Sequence, residues 1–89
     1  MKLEIILENQ KITLRLLENS KIVDAISWPE DSNLSKKLLL NIEKILKKNR
    51  LGKNDLKSVK VINKTEHNIT TFRIAKSVAD TYNFSLKKV

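Results

Sequence analysis

Apolar and polar residues alternate through the first part of the chain. In Lys2–Glu8, Leu3, Ile5 and Leu7 fall on one side and Glu4 and Glu8 on the other, with Ile6 between the acids. In Lys11–Glu18, Ile12, Leu14 and Leu16 alternate with Thr13 and Arg15. A period of two marks a half-buried strand. Lys21–Trp28 reads as a third strand, less cleanly patterned, and Pro29 ends it because proline cannot donate to a ladder. The pairs Asn9-Gln10 and Asn19-Ser20 separate these runs, so the three strands form consecutive hairpins in an antiparallel meander. Neither pair contains glycine, and Asn9 and Asn19 are the residues expected at positive φ.

The period then changes to that of a helix. From Leu34 to Asn49, the residues Leu34, Leu38, Leu39, Ile42, Ile45 and Leu46 fall in one arc, while Lys36, Lys37, Glu43, Lys44, Lys47 and Lys48 fall outside it. Leu40 stands among the charges. Asp31, Ser32 or Asn33 supplies the cap, and Gly52 fits the signal that follows a helix end. Leu51–Leu56 is a link with one helical turn. Val59, Val61 and Ile62 form a fourth strand, and Asn63–Asn68 a polar turn. From Ile69 the spacing of Phe72, Ala75, Val78, Ala79 and Tyr82 predicts a second helix, capped by Asn68 or Thr65. Phe84, Leu86 and Val89 then alternate as a fifth strand.

A right-handed crossover through each helix sets strands four and five parallel to strand one. The expected fold is α/β, one domain over residues 1–89. It has a mixed five-stranded sheet of order 3-2-1-4-5 with two helices on one face. The polar positions Glu4, Glu8, Thr13, Arg15 and Lys60 leave the other face wet. Ile6, Leu17 and Ile62 interrupt it as a small apolar patch.

Composition narrows the function. No run approaches the roughly 20 apolar residues of a membrane span. The N-terminal stretch carries acids inside its apolar run, unlike a signal peptide. There is no cysteine, which excludes disulfides and thiolate metal sites and fits a cytoplasmic protein. The net charge of +8 is uneven: residues 1–32 hold 4 basic and 6 acidic side chains, residues 33–89 hold 14 and 4. That asymmetry suits a polyanion such as RNA, with Lys36, Lys44, Lys47, Lys48, Lys87 and Lys88 as contacts. Against this, only 3 of the 18 basic residues are arginine and aromatics are 4%, whereas RNA sites favour arginine forks and stacking.

Catalytic chemistry finds little to work with. Two-metal hydrolysis requires converging carboxylates. Glu4 and Glu43 are candidates, but the fourth strand offers no acid. His67 is the single histidine and lacks partners for a metal or a base. Thr70, Arg73, Ser77, Asp80 and Thr81 lie on the polar arc of the second helix, where Arg73 and Asp80 can pair. Leu40 and Ile74 are apolar outside their helices' stripes, as helix-face interfaces leave behind.

The strand order resembles the ribonuclease H-like fold, which forms each half of actin-like ATPases. Over Asn33–Val89 the chain resembles the N-terminal half of the TsaB-type (YeaZ) proteins, which take part in making threonylcarbamoyladenosine on tRNA. The family pattern H-S-x-x-L-L-P-x-I-x-x-L-L meets Leu34-Ser35-Lys36-Lys37-Leu38-Leu39-Leu40-Asn41-Ile42, followed by Asp55-Leu56 before the strand. The family's glycine motif, G-P-G-S-F-T-G-L-R-I-G, meets Glu66–Ala75, where Thr70, Arg73 and Ile74 match without a gap. Its glycines are replaced by Thr65, Glu66, His67 and Thr71, and the Asp-Thr-Ser of its first hairpin by Leu7-Glu8-Asn9-Gln10. Backbone amides cradle a phosphate only where the backbone approaches closely and turns sharply, as glycine permits. Only the N-terminal half of the family's length is matched, so no cleft between two domains is expected within it.

The resemblance therefore implies a non-catalytic TsaB-like interaction subunit without cofactor or metal. In that family the two corresponding helices contact a second copy and the larger catalytic paralogue. Partner contact is accordingly expected at Ser35, Leu39, Leu40, Thr70, Arg73, Ile74 and Ser77. The partner is then a second copy or the threonylcarbamoyl-transfer subunit, and the alternative is a basic nucleic-acid-binding module of the same fold.

Overall fold

Period-two alternation in the first 29 residues becomes three paired strands: β1 (Lys2–Glu8), β2 (Lys11–Glu18) and β3 (Lys21–Pro29). A computed structural model describes residues 1–30, 33–65 and 69–87, with the side chains of Lys53 and of 85–87 excepted. α1 (Leu34–Lys48) and a short 3-10 turn (Lys53–Asp55) lead to β4 (Ser58–Asn63), then α2 (Ile69–Lys87). The sheet order is β3-β2-β1-β4, with β4 parallel to β1 and the other pairings antiparallel. Leu3, Ile5, Leu7, Ile12, Leu14 and Leu16 share one face and are fully buried. They form one core with Leu38, Ile42 and Ile45 of α1 and Ala75, Val78 and Ala79 of α2, so both helices cover that face.

Among the described residues the sheet has four strands, not five. Phe84 and Leu86, expected in a strand, continue α2 to Lys87, and Val89 lies outside the described residues. The stretch Thr81–Lys87 contains no glycine or proline. Each further helical residue gains a hydrogen bond, whereas leaving the helix requires a chain reversal that nothing local encodes. Among the described residues β4 is consequently an edge strand. The Asn83 carboxamide lies against that edge: the Val59 N–H donates to Asn83 Oδ1 at 2.9 Å, and Asn83 Nδ2 donates to the Val59 carbonyl at 2.8 Å.

The turns obey the same economy with different residues. Asn19 and Ser20 both have positive φ (51° and 68°), the pattern of a type I′ hairpin. In the first hairpin it is Gln10 that carries positive φ (65°), not Asn9. α1 ends at Asn49 with the left-handed residue at Arg50 (φ 57°), not at Gly52. The Leu51 N–H reaches the Leu46 carbonyl at 2.8 Å and the Arg50 N–H reaches the Lys47 carbonyl at 3.1 Å, a Schellman motif. Leu51 packs on the core beside it. A Cβ residue in this conformation is strained, so Arg50→Gly is expected to raise stability by about 0.5–1 kcal/mol. Urea denaturation checks this; an unchanged or lower midpoint contradicts the assignment.

Other local expectations shift as well. Asn33 occupies the α1 N-cap position without a side-chain cap bond, and Asp31 and Ser32 lie outside the described residues. The Thr65 N–H donates to Asn63 Oδ1 at 3.0 Å in an Asx-type turn, and Asn68, the other cap expected for α2, lies outside the described residues. Ile6, expected in an exposed patch, is buried between Thr13 and Ile62 on the flanking strands. Beside it Arg15 Nη2 meets Glu4 Oε1 at 2.6 Å, and such long stems cover apolar surface. Leu17 and Ile62 are half-buried.

Candidate functional site

Two regions of the molecule hold the residues singled out by the sequence. The first is the end of the sheet beyond the C-termini of β1 and β4. Open α/β sheets bind ligands outside the carboxyl ends of their parallel strands, where a helix N-terminus can receive an anion. Here the neighbours are the Asn9-Gln10 turn, Glu30 and the first turn of α2. The Glu30 N–H donates to the Gln10 carbonyl at 3.1 Å, and the Lys64 N–H to the Leu7 carbonyl at 2.8 Å. The buried Thr71 hydroxyl donates to Glu30 Oε1. A carboxylate of the chain itself is thus bound within the first turn of α2, the position favourable to a phosphate. Glu66, His67 and Asn68, expected in this turn, lie outside the described residues.

Glu30 and Thr71 were not legible as partners. Thr71 read only as a lost glycine, and no pattern in the chain singled out Glu30. A polar residue on the buried side of the α2 pattern was the available signal, since a buried hydroxyl requires a hydrogen-bond partner. The candidate carboxylates Glu4 and Glu43 do not converge. Glu4 is on the outer sheet face with Arg15, and Glu43 is exposed on α1, across the sheet. Among the described residues no group of three or more metal-ligating side chains gathers.

The second region is the helix layer. α1 and α2 both follow strands running in the β1 direction, so they lie side by side in parallel. Glu43, Leu46, Lys47, Leu51 and Tyr82 line a shallow groove of about 370 Å³ at the α1–α2 seam. Burial, and then the Glu43 carboxylate, push the Tyr82 phenol above its usual range. The helical phase of Glu43 and Leu46 places Ser35 and Leu39 on the α2 side of α1. Leu39, expected in the buried stripe, is 42% exposed because it falls at the edge of the arc formed by Leu34, Leu38, Ile42, Ile45 and Leu46. Leu40 is 55% exposed and lies about 100° further round, among Lys36, Lys44 and Lys47.

On α2, Thr70, Ile74 and Ser77 recur at i, i+4 and i+7 along one side. Ile74 is half-buried against the core, and Thr70, Arg73 and Ser77 are exposed. Arg73 does not pair with Asp80; Lys76, one turn away, holds Asp80 at 3.7 Å. Of the seven expected contact residues, Ser35, Leu39, Leu40, Thr70, Arg73 and Ser77 are exposed and Ile74 is half-buried. Of the candidate RNA contacts, Lys36, Lys44 and Lys47 are exposed, and Lys48 pairs with Asp24 at 3.4 Å. The carboxyl of Asp24 is held below its usual range, chiefly by the Asn49 side chain. The side chain of Lys87 and all of Lys88 lie outside the described residues. No helix among the described residues is long and apolar enough to cross a membrane.

No family model matches this chain. No curated protein matches its sequence. Its fold is similar to the solved structure of YeaZ from Pseudomonas aeruginosa, with a TM-score of 0.76 at 16% sequence identity. The match covers 98% of this chain and 41% of the YeaZ chain, so the chain spans less than half that protein's length. The four-stranded mixed sheet with two helices is accordingly a YeaZ-like fold.

Proposed function

We propose that this chain is a TsaB-like interaction subunit in tRNA threonylcarbamoyladenosine modification, working in the cytoplasm by association of its helix layer and catalysing no reaction itself. The observation that carries the reading is the YeaZ-like fold over 98% of the chain. The absence of catalysis is supported by Glu30, whose carboxylate sits where a phosphate would meet α2. Association is supported by Leu39 and Leu40, two exposed leucines on the one layer that faces away from the sheet. A helix pair with apolar residues on its outer side suits a second helix pair, either from another copy or from the threonylcarbamoyl-transfer subunit.

Sedimentation of the protein alone and mixed with that subunit tests the proposal. A complex is expected, and Leu39→Asp or Leu40→Asp is expected to weaken it at least about tenfold while the helical signal stays unchanged. A monomeric mass in both runs, or a complex indifferent to both substitutions, ends the reading. A third arm with tRNA, at about 50 mM salt, tests the lysine-based alternative, since such contacts weaken steeply as salt rises.

A further inference from the structure

Asn83, near the end of α2, marks a second surface, the outer edge of β4. Its carboxamide meets both main-chain groups of Val59, at 2.9 and 2.8 Å, on the side of β4 away from β1. A side-chain amide carries the same donor and acceptor as a peptide group. Asn83 therefore does for Val59 what a neighbouring strand would do. Strand alternation directs the N–H and C=O of Val61, two residues on, toward the same edge, where no strand lies among the described residues. Such a row is a template for an added strand.

The charge along this edge selects what is added. Lys57, Lys60 and Lys64 are exposed on or beside β4, and no acid occurs between Lys57 and Lys64. A second copy pairing through β4 brings the same three lysines, and like charges across strands repel. We propose that the edge of β4 is a docking site for an extended acidic segment of a partner protein, with Asn83 closing one end until that segment arrives. The segment pairs with the main chain at Val61 and, by displacing Asn83, at Val59. Its carboxylates meet Lys57, Lys60 and Lys64.

The probe is an eight-residue peptide alternating glutamate and valine, titrated into isotopically labelled protein and followed by amide NMR. The expected result is shifts concentrated at residues 59–63. Lysine-valine and backbone N-methylated versions of the peptide should produce none. Asn83→Ala should bind the peptide about fivefold more tightly, because two main-chain groups are then open. Lys60→Glu, at an exposed position that leaves the edge intact, should bind about threefold more weakly. Shifts confined to the helices or the outer sheet face overturn the proposal, as does equal binding of the lysine peptide. A concentration-dependent dimer of Asn83→Ala, with β4 shifts and no peptide response, also overturns it by making a second copy the occupant. The helix-layer experiment uses other residues, so failure of one proposal is distinguishable from failure of the other.

Discussion

Ile5→Ala should lower the stability of this protein by about 3–4 kcal/mol, the cost of a large-to-small change at a site that cannot collapse. Ile5 is fully buried on the inner strand β1, with Leu14 opposite on β2 and Val61 opposite on β4. Both helices pack on that face, so the lost atoms leave a cavity walled by regular structure on every side. A domain of this length has a total stability of only about 4–13 kcal/mol. With a urea m-value of about 1 kcal/mol/M, the midpoint should fall by about 3 M or the variant should be unfolded outright. Ile22→Ala is the control. Ile22 is 56% exposed on the edge strand β3, and its truncation should cost under about 0.5 kcal/mol. Equal losses in the two variants would mean that the sheet presents its other face to the helices.

Glu30→Lys should cost about 2 kcal/mol. It removes the acceptor of the buried Thr71 hydroxyl and sets a cation against the positive end of α2. Glu30→Gln keeps an oxygen at that place and removes only the charge, so its loss should stay under about 1 kcal/mol. The charge-dependent part should shrink in about 0.5 M salt, because charges near the surface are screened. The comparison therefore separates hydrogen bond from dipole. A Glu30→Lys protein as stable as the parent would show that no carboxylate stands at that helix end. The support for a closed anion site would go with it.

Most of the architecture was readable from residue order. Leu3, Ile5 and Leu7 against Glu4 and Glu8 can be satisfied by a strand with one wet face and by little else. The helix stripe through Leu34, Leu38, Leu39, Ile42, Ile45 and Leu46 was equally plain, and all but Leu39 are buried. The fifth strand failed because Phe84 and Leu86 obey period two over too short a stretch. Nothing between Thr81 and Lys87 stops a helix already running. Arg50 was missed for a related reason: a lone glycine nearby is a strong signal, but the C-terminal carbonyls are satisfied where Leu51 packs on the core.

The candidate site was readable only in part. Leu40 stood out among charges and is exposed, whereas Leu39 was assigned to the core and is exposed as well. One helix alone cannot show this, because the width of its buried arc depends on where the second helix lies. Glu30 and Thr71 are 41 residues apart and no spacing rule joins them. Side-chain period, charge balance and the absence of thiols are properties of neighbouring residues or of simple counts, so the chain itself determined the layers, the strand order of the meander and the excluded chemistries. Which leucines stay exposed, which carboxylate binds Thr71 and which edge carries no strand among the described residues were decided by tertiary structure. Those outcomes turn on separations of a few ångströms between segments remote in the chain, and only the packed sheet and helices set them.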